Sequence, residues 1–518
     1  MTRLNNVNTS HSTTQSKIET LGVVLLLITF TLLSLLICTR TPAVFNDEVV
    51  YVDPAANLYF HNGFSSTMWA QGRQEFWCGN VPLYQGILFL TYKCFGFGFL
   101  QTRAINLLLT VLGASLVWAG VRMTNLIKSP AFRLLGLLLL LSGSVSNKTF
   151  RVGRYDTTMF FVCSIVFFIW GLPSSWKSKK LLLVASGALL PFAGVPLLPY
   201  TAMMLLFILI LKGFGEFKNI LATGIGLISG LFGLYSFYRH FGAWQEFMKI
   251  VLPFTGAGHL DAAGKATLGD FLIGKHLGEE SLLTSFFGNP LSHFDEKNLF
   301  DISAFLLFIV LIFLTVLLWK KSDSRARKVM VFGFMLTLVL PPFMATVGHY
   351  RSFYRWMSYI PLTWVVMALL ENTMNADLSV MRRMVIKCVM GISIFMGIPF
   401  YTVTTLTAWT SRSERPLERI AEKLVHADDV VICDFKSYFA VKSRARIVYC
   451  CGLVARGDFS KITDLPSREV TLLCIFPDEF DEVTKTLGGK WHKVDIEDAN
   501  EDKKFRQTRY ALDFYRRE

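Results

Sequence analysis

Eleven apolar stretches constrain this chain more than any other feature, because a helix crosses membrane hydrocarbon with about 20 mostly apolar residues. They lie near 20–38, 104–121, 131–146, 157–174, 181–195, 198–211, 217–237, 302–319, 329–347, 356–371 and 385–408. Pro191, Pro196 and Pro199 interrupt the run 181–211, which reads either as two spans or as one kinked span. The first stretch is too long for a removable signal peptide and lacks a small-residue cleavage site. Only 17% of the 518 residues are charged, against roughly 25% in a soluble domain. A disordered chain is excluded, and a polytopic α-helical membrane protein of about 11 spans is expected.

The formal charge of +14 does not point to nucleic acid. Residues 411–518 hold 20 Lys/Arg and 20 Asp/Glu, so the whole excess lies in the apolar part, not on a polar module. Lys and Arg concentrate in alternate short loops, which marks the cytoplasmic side. These loops carry Arg122, Lys128 and Arg133; Lys177, Lys179 and Lys180; Lys212 and Lys218; Lys320 to Lys328; and Arg382 with Arg383. The reading gives a cytoplasmic segment 1–19, a transmembrane region 20–410, and outer loops 39–103, 147–156, 239–300 and 348–355. The tail 411–518 then lies outside the membrane on the same face as those loops.

The tail alternates helix-like stretches (414–426, 478–487) with strand-like ones (429–434, 446–451, 470–476, 507–515), the pattern of a small C-terminal α/β domain. It has no glycine-rich phosphate loop. Cys433, Cys450, Cys451 and Cys474 lack zinc-ligand spacing, and their pairing is not readable from sequence. Cys38, Cys94, Cys163 and Cys388 sit in apolar stretches and are expected in the core. No cofactor is called for, and a divalent metal is left open.

Three outer clusters carry candidate chemistry. Asn46-Asp47-Glu48 follows the first span and opens a helix-compatible run from Val49 to His61, with Gly63 as its expected C-cap. Adjacent helical residues point about 100° apart, so one carboxylate would face a substrate and the other would support it. Acidic residues also suit a helix N-terminus for its dipole alone. The second cluster, Arg151-Val152-Gly153-Arg154-Tyr155-Asp156, leads into the fourth span and suits either a lipid phosphate or a headgroup anchor. The third runs from His349 through Tyr350, Arg351, Ser352, Phe353, Tyr354 and Arg355 to Trp356. Its two arginines stand outside against the positive-inside bias, and an anionic ligand is the simplest reason; its aromatic residues also suit an interfacial belt.

Taken in order, these features resemble the GT-C glycosyltransferases. The acidic pair after the first span, Pro82-Leu83-Tyr84, Arg103 with Asn106 entering the second span, Arg154-x-Asp156 and the basic, Tyr-rich loop before a late span carry the likeness over roughly 15–410. It is nearest to the branch of protein O-mannosyltransferases and the lipid A aminoarabinose transferase. The resemblance implies a hexosyl or pentosyl donor on a polyprenyl phosphate, used on the outer face, with transfer to an acceptor hydroxyl and inversion. Asp47 matches the family's catalytic carboxylate and Glu48 its neighbour. Some members place a lysine before a Pro-Pro-Leu segment to meet the donor phosphate, whereas this chain reads Gly79-Asn80-Val81-Pro82-Leu83.

Physical chemistry leads the same way. A lipid-linked donor keeps its phosphate near the headgroups, so catalytic groups belong at span ends on one face. Asp47 would be the base, with Glu48 and Asp156 beside it, and Arg351, Arg154, Arg355 and Tyr350 would meet the phosphate. His349, Tyr84, Arg103 and Asn80 complete the candidates. The expected partners are the donor, an acceptor lipid, glycan or protein, and membrane lipid, in a bacterial inner membrane. The alternative is a lipid or glycan transporter or flippase, which would be expected to carry ionisable groups near the bilayer midplane.

Overall fold

A computed structural model describes residues 2–68, 76–79, 81–251, 300–320, 322–346, 352–374, 380–455 and 467–518. The described residues of the eleven apolar stretches are mostly helical. Seven helices position the candidate site: α1 (Thr2–Ile37), α2 (Asn46–Tyr59), α3 (Pro82–Phe95), α4 (Phe99–Met123), α5 (Pro130–Ser142), α6 (Ser144–Phe150) and α7 (Asp156–Gly171). Among the described residues, four helical segments are individually long and apolar enough to cross a membrane: Ser16–Ile37, Phe99–Met123, Leu197–His240 and Ser324–Met344. Met384–Phe395 and Ile398–Thr407, bent by 46°, form a fifth if taken as one span. The chain is a multi-pass membrane protein.

On α1, Ile18, Leu21, Leu25, Ile28, Leu32 and Leu36 recur every three or four residues and are exposed. An uncovered apolar stripe of this length is stable against lipid tails, not water. Both ends of the apolar part of α1 are held by buried arginines. At one end Arg133 of α5 grips Glu19 through two bonds of 2.6 Å. At the other, Arg103 of α4 donates to the carbonyl of Cys38 at 2.6 Å. Between residues 19 and 38 a helix rises about 29 Å, close to one hydrocarbon thickness.

Helix Leu197–Lys212 ends where Gly213 takes φ +65°, and Phe217–His240 follows. The second packs closely on Lys179–Ala193 because glycines remove the side chains between the backbones. A Cβ on Gly226 would lie 2.2 Å from the carbonyl oxygen of Val184, and one on Gly230 would lie 2.3 Å from that of Ala188. This is a small-xxx-small contact of the kind that holds membrane helices together by dispersion.

The tail folds into a five-stranded sheet in the order β2-β1-β3-β5-β4. The strands are β1 (Val430–Cys433), β2 (Ile447–Cys450), β3 (Leu472–Ile475), β4 (Trp491–Lys493) and β5 (Asp513–Arg517). β1, β2 and β3 run parallel, and β5 is antiparallel to β3 and β4. The near-continuous apolar runs of the parallel strands reflect burial on both faces. Strand β4 and helix Ala499–Arg506 went unread in the sequence, and the expected strand 507–515 begins only at Asp513. Register places Cys450, Cys433 and Cys474 side by side across three strands, as free thiols. Cys38 is buried as expected, whereas Cys94 and Cys388 face outward: their helices turn those positions away from the core.

Candidate active site

Helix α2 brings the acidic pair into the site. It begins at Asn46 without a side-chain N-cap, so Asp47 and Glu48 supply the negative charge its first turn favours. It ends at Tyr59 rather than His61; His61 and Gly63 both turn at positive φ beyond it. Asp47 and Glu48 point to different surroundings. Asp47 is 40% exposed. Glu48 is fully buried, its carboxylate clasped by Arg103 at 2.7 and 2.6 Å and by the Gly153 amide at 2.7 Å. Arg103 also donates to the Pro42 carbonyl at 2.9 Å and stacks over Phe99 at 4.1 Å. Glu48 is thus a tie between α2, α4 and the loop before α7.

That loop delivers Arg154. Asn106 of α4 holds it by donating to the carbonyls of Val152 and, at 3.0 Å, Arg154, and reaches the Tyr84 hydroxyl of α3 at 3.4 Å. The buried guanidinium of Arg154 bonds Asp47 through Nη1 and donates from Nε to Asp156 at 2.9 Å. Burial opposes its charge, but Asp156 and Asp47 outweigh burial and hold Arg154 above the ordinary guanidinium range. The rings of Tyr51, Tyr155 and Tyr354 lie 5.4 to 6.0 Å from its guanidinium carbon. The Tyr155 and Tyr354 hydroxyls bond each other. Asp156, fully buried at the start of α7, also accepts from the Trp356 indole at 3.3 Å. The site is therefore one accessible carboxylate, one buried guanidinium and one buried carboxylate in an aromatic box.

The structure brings together Asp47, Glu48, Arg103, Arg154, Asp156 and Tyr84. Arg355 is buried just before helix Trp356–Met374. Asn80, His349, Tyr350 and Arg351 lie outside the described residues, as does most of the loop 239–300. Among the described residues, one group offers three metal-ligand atoms within 4.8 Å of one another: Asp434, Cys451 and Glu479, all in the tail.

No protein-family model and no curated protein matches the chain. Among solved structures, it is similar to ArnT from Cupriavidus metallidurans bound to undecaprenyl phosphate, with a TM-score of 0.56, 12% identity, and 95% of this chain and 98% of that one covered. The chain has the GT-C fold. ArnT in the apo state aligns at a TM-score of 0.49 with 12% identity over 96% and 98% of the two chains. The arabinofuranosyltransferase AftD from Mycobacteria aligns at 0.46 with 13% identity over 95% of this chain and 39% of that one.

Several residues of this GT-C fold escaped the sequence reading. Tyr51 stands four residues after Asp47, on the same helix face, and that spacing could have found it. Gly153 was inside a quoted motif, but its role is a contact rather than a charge: a Cβ there would meet Thr102 Cγ2 at 2.7 Å and Glu48 Cγ at 2.9 Å. Asp53, buried on α2, is reached from the tail by Tyr438 and Lys442. No local signal connects residues so distant in the chain.

Proposed function

We propose that the protein is a glycosyltransferase that moves a sugar from a polyprenyl-phosphate donor to an acceptor hydroxyl, with inversion at the anomeric carbon. The observation that carries this reading is Asp47, the accessible member of a three-group cluster whose other two members are buried. The similarity to a structure with undecaprenyl phosphate bound supports the donor class. Under this reading the membrane region has eleven spans in a bacterial inner membrane. The N-terminus is cytoplasmic, and the loops and the tail lie outside.

Asp47 accepts the proton of the acceptor hydroxyl as its oxygen attacks the anomeric carbon. The bond to the donor phosphate breaks in the same displacement, and polyprenyl phosphate leaves. With no covalent sugar intermediate, a single displacement inverts the centre. Arg154, gripped by Asp156, fixes the direction of the Asp47 carboxylate, and Glu48 fixes the helix that bears it. Arg351 is assigned first to the donor phosphate, with Asn80 at the position where some GT-C enzymes hold a lysine. Arg154, whose Nη1 and Nε already meet two carboxylates, serves the phosphate second, and Arg355 third.

The test is turnover of radiolabelled polyprenyl-phosphate sugars by protein reconstituted in lipid vesicles, read as release of polyprenyl phosphate and labelled acceptor. Asp47→Asn should lower turnover at least about 10²-fold, the minimum worth of a general base, while donor binding persists. Turnover within about threefold of wild type would remove Asp47 from the mechanism. Transfer of intact labelled donor across the vesicle, with no sugar released, would establish a flippase instead.

A further inference from the structure

The buried back of α2 carries groups that the reaction scheme does not use. Asp53 is fully buried, and its Oδ1 accepts from the Tyr438 hydroxyl at 2.8 Å and pairs with Lys442 Nζ at 2.9 Å. Its Oδ2 accepts from the Ser66 hydroxyl at 3.0 Å, the Thr67 amide at 2.8 Å and Asn57 Nδ2 at 3.2 Å. Lys442 also donates to Asn57 Oδ1 at 2.5 Å, and the Thr67 hydroxyl to the Val448 carbonyl of β2 at 2.5 Å. Tyr438 and Lys442 are the first and last residues of a one-turn helix between β1 and β2. Phe439 between them stacks on Phe97 at 5.7 Å.

Helical geometry relates this clasp to the site. At 3.6 residues per turn, Tyr51 stands about 40° from Asp47, Asn57 about 40° from Asp53, and the two pairs about 120° apart. One side of α2 faces Arg154 and another faces the tail. Pro54, beside Asp53, has no N–H to give to the Val50 carbonyl, so this turn has one backbone bond fewer. Side-chain anchors take over the work of that bond in fixing the helix.

We infer that Lys442 and Tyr438 are positioning residues for Asp47: the tail grips Asp53 and thereby sets the rotation of α2, and with it the aim of the accessible carboxylate. This rests on the reading of Asp47 as the base. A rotation of α2 by about 20° would carry a side-chain tip by roughly 2 Å, and a misplacement of about 1 Å is enough to cost on the order of 10²-fold. Because both side chains are buried against Asp53, on a side of α2 about 120° from Asp47, the loss belongs in kcat, with the donor KM retained.

The experiment compares full-length Lys442→Ala, Lys442→Arg, Tyr438→Phe and the neutral double variant Asp53→Asn/Lys442→Met with wild type and Asp47→Asn, in the same vesicles. Expected are a fall in kcat of about tenfold or more for Lys442→Ala with donor KM within twofold, partial recovery in Lys442→Arg, and a loss of about threefold in Tyr438→Phe. Should Lys442→Ala fail to fold, Tyr438→Phe and the double variant decide, since neither leaves a buried charge alone. Folded variants with wild-type kcat beside an inactive Asp47→Asn overturn the positioning inference and leave the base intact. Equal changes in kcat and KM, or no recovery with arginine, also overturn it. An active Asp47→Asn instead overturns the base.

Discussion

At the residue scale, the site depends on a backbone placed where only hydrogen fits. Gly153 gives its amide to Glu48, and a Cβ on it would run into the stem of that same side chain. Gly153→Ala would put a methyl within 3 Å of Thr102 and Glu48. Neither neighbour can retreat easily, because Thr102 bonds the Tyr92 hydroxyl at 2.7 Å and Glu48 is held by Arg103. Overpacking of this kind costs about 1–3 kcal/mol. Gly153→Ala should therefore lower the unfolding temperature and reduce kcat roughly tenfold by shifting Arg154 one residue away. A variant with unchanged melting and unchanged turnover would show that the loop yields without moving the site. The sequence made the charged residues visible through position, since acids and arginines at span ends are rare enough to notice. Gly153 acts through distance and shape, and those exist only after the helices around it have met.

At the element scale, hydropathy located the four helical segments long and apolar enough to cross a membrane among the described residues, because period and length are local properties. Shorter elements were harder. Strand β4 has only three residues, and its pattern gives no alternation to read. Strand β5 ends the chain and is held by ion pairs instead. Arg516 on β5 bonds Asp429 at 2.9 and 3.2 Å, and Asp429 also accepts from the Thr471 hydroxyl at 2.7 Å and the His426 amide at 2.8 Å. Burial works against the Asp429 charge, but Arg516 and these hydrogen bonds prevail and hold its carboxyl below the usual range. A depressed folded pKa stabilises above the unfolded value of about 3.9 and is lost as pH falls through the folded value. Asp429→Asn should melt below wild type at pH 7, by an amount equivalent to about 1.5–3 kcal/mol. The gap should narrow as pH falls past the unfolded value of about 3.9 and through the lower folded value, where wild type loses the same charge. A gap of constant size over that range would assign the stabilisation to shape rather than charge.

At the scale of the whole molecule, orientation is the property that, under the proposed function, decides which donor can reach Asp47. In a background with Cys94 and Cys388 replaced by serine, an impermeant thiol reagent should label Ser443→Cys and spare Ser324→Cys in intact cells. Both positions are exposed, so access to the reagent is set by membrane side. The reverse pattern would put the site on the cytoplasmic face and favour a nucleotide-sugar donor. The positive-inside count could be made from sequence because charge is counted residue by residue. The contact between tail and α2 could not, because its partners are far apart and neither segment announces the other.

That separation also sets a time. Tyr438 lies 385 residues after Asp53. Arg412 donates to the Thr41 hydroxyl at 2.6 Å, and Arg509 reaches the Arg40 carbonyl, so other parts of the α1–α2 junction wait on late residues too. At about 5–20 residues per second, the ribosome needs roughly 20–80 s after making α2 to supply its clasp. Throughout that interval Asp53 has neither its lysine nor its tyrosine, and the acidic helix is held from one side only. A chain still being inserted, or one cut short by a nonsense codon, would carry Asp47, Arg154 and Asp156 and yet lack the tail residues that clasp Asp53. Emergence of the tail would then be the event that closes the clasp on α2.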